Sequence, residues 1–285
     1  MSAQKVRTIA VLGAGTMGHG IAHAAMTAGF DTALYDVSEA AVTKGKSAID
    51  AVITKSVELG KATDADAASM RSRLRTTTSV ADAVRNADVV IEAAPEKIDL
   101  KLALFKDAEA AAPAHAVFAS NTSALSITEM AAVLANPGRM GGMHFFNPVH
   151  RMKLIEIVKA LDTTPDTIAV MEEVSAKMGK ETVLVKESPG FVTSRINAMI
   201  GNEAFYMLQE GVASARDIDK ALKLGLNHPM GPFELVDLVG LDTRLSILQY
   251  LHRTLGEKFR PSPLLEQHVK DGRLGRKAGK GVYDY

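Results

Sequence analysis

Gly13, Gly15 and Gly18 stand at a spacing with a specific backbone use. The first allows a tight turn, the second a close approach to a diphosphate, and the third close packing of a helix on a sheet. Apolar, β-branched-rich residues precede the triplet at 6–12, and small and apolar residues follow at helical spacing over 19–28, stopped by Gly29. A second short strand at 32–35 leads into Asp36, whose carboxylate can bind both hydroxyls of a ribose. The unpaired N–H groups and positive dipole end of the intervening helix would meet the phosphates. A glycine triplet alone is a weak signal. Strand, turn, helix, strand and acid together read as a dinucleotide site, with Met17 counted in its cofactor-binding turn. Asp36 would repel a 2′-phosphate, and Val37 and Ser38 rather than an arginine follow it, so the expected cofactor is NAD.

Hydride transfer at an alcohol carbon needs a group that exchanges the hydroxyl proton, and histidine titrates in the useful range. Of eight histidines, His19 and His23 fall on the first helix, and His252 and His268 on helix faces expected to be exposed. His144 ends a strand in Gly142-Met143-His144-Phe145-Phe146-Asn147-Pro148, and open α/β sheets bind ligands at the carboxyl ends of strands. Position alone leaves a structural and a catalytic histidine equally open. Glu156 is an isolated acid between Ile155 and Ile157 on the adjoining strand. Ser123, taken by itself, reads as a helix cap.

These residues need a scaffold, and the hydrophobic pattern supplies one. Further strands are expected at 88–94, 116–120, 140–145, 154–158 and 182–185. Helices are expected at 98–111, 126–134 and 166–178, with a long helix after Ser38 marked by Val42, Ile49, Val52, Ile53 and Val57. Such alternation implies a mostly parallel sheet covered by helices. After Ser188-Pro189-Gly190 no strand is expected, and Ile196, Met199, Ile200, Ala204, Met207 and Leu208 form one helical stripe. The expected fold class is therefore α/β. A Rossmann-type, mostly parallel sheet domain at 1–187 precedes an all-helical domain at 188–285. Acidic and basic residues balance at 33 each without a basic stripe, which argues against nucleic acid. The apolar runs are too short for a membrane span. The absence of cysteine removes disulfides and thiolate chemistry, and no metal site is expected. A short polar N-terminus without a signal peptide makes a cytoplasmic enzyme the expectation.

Ser120-Asn121-Thr122-Ser123 and His144-Phe145-Phe146-Asn147-Pro148 resemble motifs of the 3-hydroxyacyl-CoA dehydrogenase family. So do Pro189-Gly190-Phe191, Met230-Gly231-Pro232-Phe233-Glu234 and Gly240-Leu241-Asp242, in the family's order from Gly13 to Gly281. The short-chain bacterial 3-hydroxybutyryl-CoA dehydrogenases are most similar. The resemblance implies an oxidoreductase that interconverts an (S)-3-hydroxyacyl-CoA and a 3-oxoacyl-CoA with NAD(H). It implies His144 as general acid and base, Glu156 as its paired acid, and Ser123 as the donor to the substrate's 3-oxygen. Glu96, Lys101 and Asn147 would lie on the nicotinamide side of the cofactor site, Asn147 also meeting substrate, and Lys277 would reach the cofactor from the second domain. Ser194 stands where many members carry a catalytic asparagine, with Asn197 one turn further on. A homodimer through the helical domain is also implied. Lys44, Lys46 and Lys55 of the second helix are candidates for the CoA end. Two other readings stay open. One is a sugar-acid dehydrogenase of the L-gulonate type sharing the His144–Glu156 pair, and the other is a crystallin-like protein that binds NAD without turnover.

Overall fold

Runs of Val, Ile, Leu and Ala alternate with helices through the first 187 residues and assemble into one eight-stranded sheet. The computed structural model describes residues 6–285. Its sheet unit runs β1 (Thr8–Leu12), α1 (Thr16–Thr27), β2 (Asp31–Tyr35), α2 (Glu39–Glu58), α3 (Asp64–Ser72), β3 (Leu74–Thr77), α4 (Val80–Val84), β4 (Val89–Glu92) and α5 (Ile98–Ala111). It continues with β5 (Val117–Ser120), α6 (Ile127–Ala131), β6 (Met140–Phe145), β7 (Leu154–Lys159), α7 (Pro165–Lys177) and β8 (Glu181–Lys186). The spatial order is β3-β2-β1-β4-β5-β6-β7-β8, with every neighbouring pair parallel except β6 and β7. The strand order reverses direction between β1 and β4, the switch point where such sheets open a crevice at their carboxyl ends.

The central strands are buried along their whole length, which is why they read as continuous apolar runs rather than as alternation. Side-chain caps set the helix starts: Ser38 accepts from the Ala41 N–H, and Thr63 and Asp66 form a capping box. Three elements have no counterpart in the sequence reading, namely α3, β3 and α4. β3, Leu-Arg-Thr-Thr, is an edge strand paired on one side and only half-buried, so no apolar run marks it.

The chain divides into two compact units at Glu187 and Ser188. The second holds α8 (Thr193–Gln209), α9 (Ala215–Gly225), α10 (Pro232–Val239), α11 (Leu241–Leu255) and α12 (Pro263–Lys270). Its core gathers on Phe205 and Phe233, edge to face at 5.2 Å, with Leu248, Leu251, Phe259 and Leu265. Of the expected α8 stripe, Met199, Ala204, Met207 and Leu208 pack in or against this core, and Ile196 is 55% exposed. The buried face centres on Ala198, Gly201, Asn202, Ala204 and Phe205. There the backbone approaches α10 so closely that a Cβ on Gly201 would lie 3.0 Å from Val236 Cγ2. Close approach selects small residues, which a count of large apolar ones misses. Among the described residues no helix is long and apolar enough to cross a membrane.

His19 and His23 sit one turn apart on α1, a two-ligand spacing that the sequence reading passed over. Among the described residues, however, no group of three or more His, Cys, Asp or Glu is placed to hold a metal ion. His23 is only 9% exposed, its Nδ1 lacks a hydrogen-bond partner, and its ring meets His150 edge-on at 6.4 Å. Burial, then the nearby His150, His19 and Lys180, lower its pKa from 6.5 to about 4. Between these values the unfolded chain binds a proton that the folded chain refuses. The stability conferred by neutral His23 is therefore complete above pH 6.5 and is lost as pH falls toward 4, by up to about 3 kcal/mol. His23→Gln should show a smaller fall of its urea midpoint across that window than the parent. Equal pH slopes for the two proteins would refute this account.

Candidate active site

The glycine turn leaves β1 with Gly13 at φ +115°, a conformation that L side chains rarely adopt. Its N–H donates to Tyr35 O at 2.8 Å, tying the turn to β2. A Cβ on Gly13 would approach Ala93 O to 2.6 Å, and one on Gly18 would be driven into the carbonyl oxygen of Gly13. Gly15 differs. Its φ of −67° suits any residue, and nothing lies within 4 Å of a Cβ built there. Its freedom from a side chain serves whatever approaches from outside. Gly15 is also the N-cap of α1 without a side-chain cap, so the first-turn N–H groups keep their capacity to bind an anion.

Asp36 follows β2 at the rim of this turn. Its Oδ2 accepts from Ala14 N and its Oδ1 from Val37 N, both at 2.8 Å, which fixes the carboxylate while leaving lone pairs for two ribose hydroxyls. A cavity of about 600 Å³ opens here, with Gly15, Met17, Asp36, Val80, Ala94 and Leu104 in its wall. Turn, helix end, carboxylate and cavity together fit a dinucleotide.

Further along the same carboxyl edge, the antiparallel register of β6 and β7 sets His144 directly opposite Glu156. Glu156 is 0% exposed, and its Oε2 lies 2.7 Å from His144 Nδ1. A carboxylate partner makes Nδ1 the donor, so the basic lone pair belongs to Nε2, which faces Ser123 Oγ at 3.2 Å. The three side chains form one line of polar contacts.

Ser123 is held by the segment after β5. Asn121 Oδ1 accepts from Phe145 N at 2.8 Å, clamping that segment to β6. Glu96 Oε1 accepts from Ser123 N at 3.0 Å and from the Thr122 hydroxyl. The helix-cap alternative for Ser123 is corrected, because Ser126 caps α6 by accepting from Glu129 N. Lys101 is buried, 1% exposed, and its Nζ donates to Glu92 Oε1 at 2.6 Å and Ala94 O at 3.2 Å, with Glu96 Oε2 at 3.2 Å. Glu92 escaped the sequence reading. It is fully buried at the end of β4, and burial pushes its carboxyl up against the opposing pull of the Lys101 ammonium.

The sheet unit thus brings together Ser123, His144, Glu156, Glu96 and Lys101, and the glycine turn with Asp36. Asn147 is exposed just past β6. In the helical unit, Ser194 is half-buried in the first turn of α8 and Asn197 is exposed. Lys277 forms an ion pair with Asp242 at 2.6 Å. Of the α2 lysines, Lys44, Lys46 and Lys55 are all exposed, and Lys55 pairs with Glu58.

Residues 8–188 match the family model for the 3-hydroxyacyl-CoA dehydrogenase NAD binding domain, and residues 190–285 match that for the C-terminal domain. A Bacillus subtilis protein named "Probable 3-hydroxybutyryl-CoA dehydrogenase" is 45% identical over 282 residues, covering 99% of this chain and 98% of its own. The 3-hydroxybutyryl-CoA dehydrogenase of Bradyrhizobium diazoefficiens is 42% identical over 281 residues, 98% of this chain and 96% of its own. The crystal structure of an (S)-3-hydroxybutyryl-CoA dehydrogenase from Ralstonia eutropha matches with a TM-score of 0.95 at 44% identity, covering 99% of each chain.

The glycines of the turn separate ligand binding from folding. Gly15→Ala should keep the parent's melting temperature while raising the Kd for NADH about tenfold or more, because its methyl group occupies only the approach to the turn. Gly18→Ala should lower the melting temperature as well, since its methyl group collides with Gly13. Tight NADH binding by Gly15→Ala would remove the turn from the cofactor site.

Proposed function

The chain belongs to the 3-hydroxyacyl-CoA dehydrogenase family, and from that premise we propose that it interconverts an (S)-3-hydroxyacyl-CoA, chiefly 3-hydroxybutyryl-CoA, and the matching 3-oxoacyl-CoA with NAD(H). The observation that carries this reading is the Ser123–His144–Glu156 line on the carboxyl edge of a sheet that also bears the dinucleotide turn. Bound NAD supplies a nicotinamide that accepts a hydride on oxidation of the alcohol and returns it on reduction of the ketone.

The chain's own groups manage the proton and the charge. In oxidation His144 Nε2 takes the proton of the 3-hydroxyl, and the Glu156 carboxylate at Nδ1 stabilises the imidazolium that forms. In reduction Nε2 returns that proton. Ser123 Oγ, beside Nε2, donates to the 3-oxygen where negative charge develops. Glu96 steadies the Ser123 peptide. Asp36 disfavours a 2′-phosphate and selects NAD over NADP. Asn147 and Lys277 are assigned to the cofactor, Asn147 also to the substrate. Ser194 offers substrate a single hydroxyl donor in place of an amide, directly or through water. The exposed α2 lysines Lys44, Lys46 and Lys55 suit the phosphates of CoA. Exposed Ile196, Val212, Leu224, Leu226 and Leu238 support self-association of the helical unit into a homodimer.

NADH oxidation with acetoacetyl-CoA tests the reading. The parent should turn over with NADH and poorly with NADPH. His144→Ala should lose about 10²–10⁴ in kcat while still binding NADH, and Glu156→Gln should lose a large part of the same factor. Turnover of L-gulonate instead of acetoacetyl-CoA, or tight NADH binding without turnover of either, would overturn the assignment.

A further inference from the structure

Glu92 takes no part in the reaction as described, yet it is 0% exposed and every polar contact it makes leads toward the site. Parallel pairing of β4 and β5 places it opposite Ser120, whose hydroxyl donates to Glu92 Oε2 at 2.5 Å. Its Oε1 accepts from Ala94 N and from Lys101 Nζ, each at 2.6 Å. Lys101 then completes its three donors with Ala94 O and Glu96 Oε2, both at 3.2 Å. Glu96 is different in kind: its side chain is 44% exposed, on a loop, where a free carboxylate would sample several rotamers. The ammonium holds one of its oxygens, and the other meets Ser123 N and the Thr122 hydroxyl.

Stability alone is a poor reason for this arrangement. Two charges removed from water at a strand end and a helix face gain little over apolar groups of the same shape. Leu104 and Phe105, the neighbours of Lys101 along the buried face of α5, are apolar. What an apolar pair could not do is hold Glu96.

We propose that Glu92 and Lys101 form a buried positioning pair that fixes Glu96 and, through it, the Ser123 peptide and hydroxyl against His144 Nε2. This rests on the roles assigned above to Ser123 and His144. Lys101 donates to Glu92, Ala94 and Glu96, and it acts on Ser123 through Glu96.

The double variant Glu92→Gln/Lys101→Met removes both charges while keeping the shapes and an amide to meet Ser120 and Ala94. It should fold with a melting temperature close to the parent's, with kcat for acetoacetyl-CoA at saturating NADH reduced about tenfold or more. In a Ser123→Ala background the same two substitutions should change kcat by less than about twofold, because the residue they act through is gone. Equal losses in both backgrounds, or an undiminished kcat in the folded double variant, would overturn the proposal. Amide hydrogen exchange across residues 121–125 supplies a readout independent of turnover. Faster exchange there, with β4 and β5 unchanged, supports the positioning role, and unchanged exchange overturns it even if the parent proves inactive on acetoacetyl-CoA. Parental inactivity would sink the functional reading alone.

Discussion

The pairing of β6 with β7 is the constraint on which the candidate chemistry depends. It is the one antiparallel contact in the sheet, and it puts His144 across from Glu156 with their side chains on the same face. Because side chains alternate along a strand, a slip of one residue would set Ile155 or Ile157 opposite the imidazole and turn the carboxylate to the other face. Packing resists such a slip. A Cβ on Gly142 would lie 2.8 Å from Val158 Cβ, and one on Gly141 would lie 2.9 Å from Met171 Cε, so β6 fits closely between β7 and α7. The desolvated carboxylate then has a donor in Nδ1, and the ring is turned with Nε2 toward Ser123. Orientation of the base follows from strand register, before any ligand arrives.

The remaining groups reach the same edge by parallel pairing. One row of the sheet runs from Leu12 through Glu92 and Ser120 to Gly142. Just past it, each strand releases a functional segment: the glycine turn after β1, Ala94 to Glu96 after β4, and Asn121 to Ser123 after β5. Asn121 then bonds across to Phe145 N, so the segment carrying Ser123 is tied to the strand carrying His144. Cofactor and proton chemistry share one edge because the sheet aligns the strand ends, and short side-chain hydrogen bonds make the last adjustment.

Much of this was legible in the sequence, for reasons that differ residue by residue. Gly13 and Gly18 are required by backbone conformation and packing, so their spacing is a physical signature. His144 stood out by ending a strand and Glu156 as an isolated acid between isoleucines, while their roles came from the family resemblance. Glu92 carries the same signal after Val89-Val90-Ile91, but an acid at a strand end passes for a solvated terminus. Ser123 and Ser126 both look like caps, and only the hydrogen bond from Glu129 N tells them apart. β3 was invisible because a half-buried edge strand needs no apolar run, and the small residues buried on α8 went unmarked because close helix approach favours Gly201 over a large side chain. Sequence periodicity reports burial of large residues well. It reports close approach and polar networks poorly.

The energetics of the buried polar groups bear on why they persist. Glu92, Lys101, His144 and Glu156 each give up nearly all contact with water, and the attraction within each pair offsets that cost without clear profit over apolar packing. A sheet under selection for stability alone has no use for two such pairs, one joining β4 to α5 and the other joining β6 to β7. Their common feature is direction: each pair is buried at one end and meets, at the other, a group on the carboxyl edge, Ser123 in one case and Glu96 in the other. Burial lowers the local dielectric and stiffens the partners, so a charge held this way fixes its neighbour more firmly than a solvated one could. The desolvation cost is then the physical condition for a rigid edge, one on which a proton and a developing oxyanion are met by groups already in place.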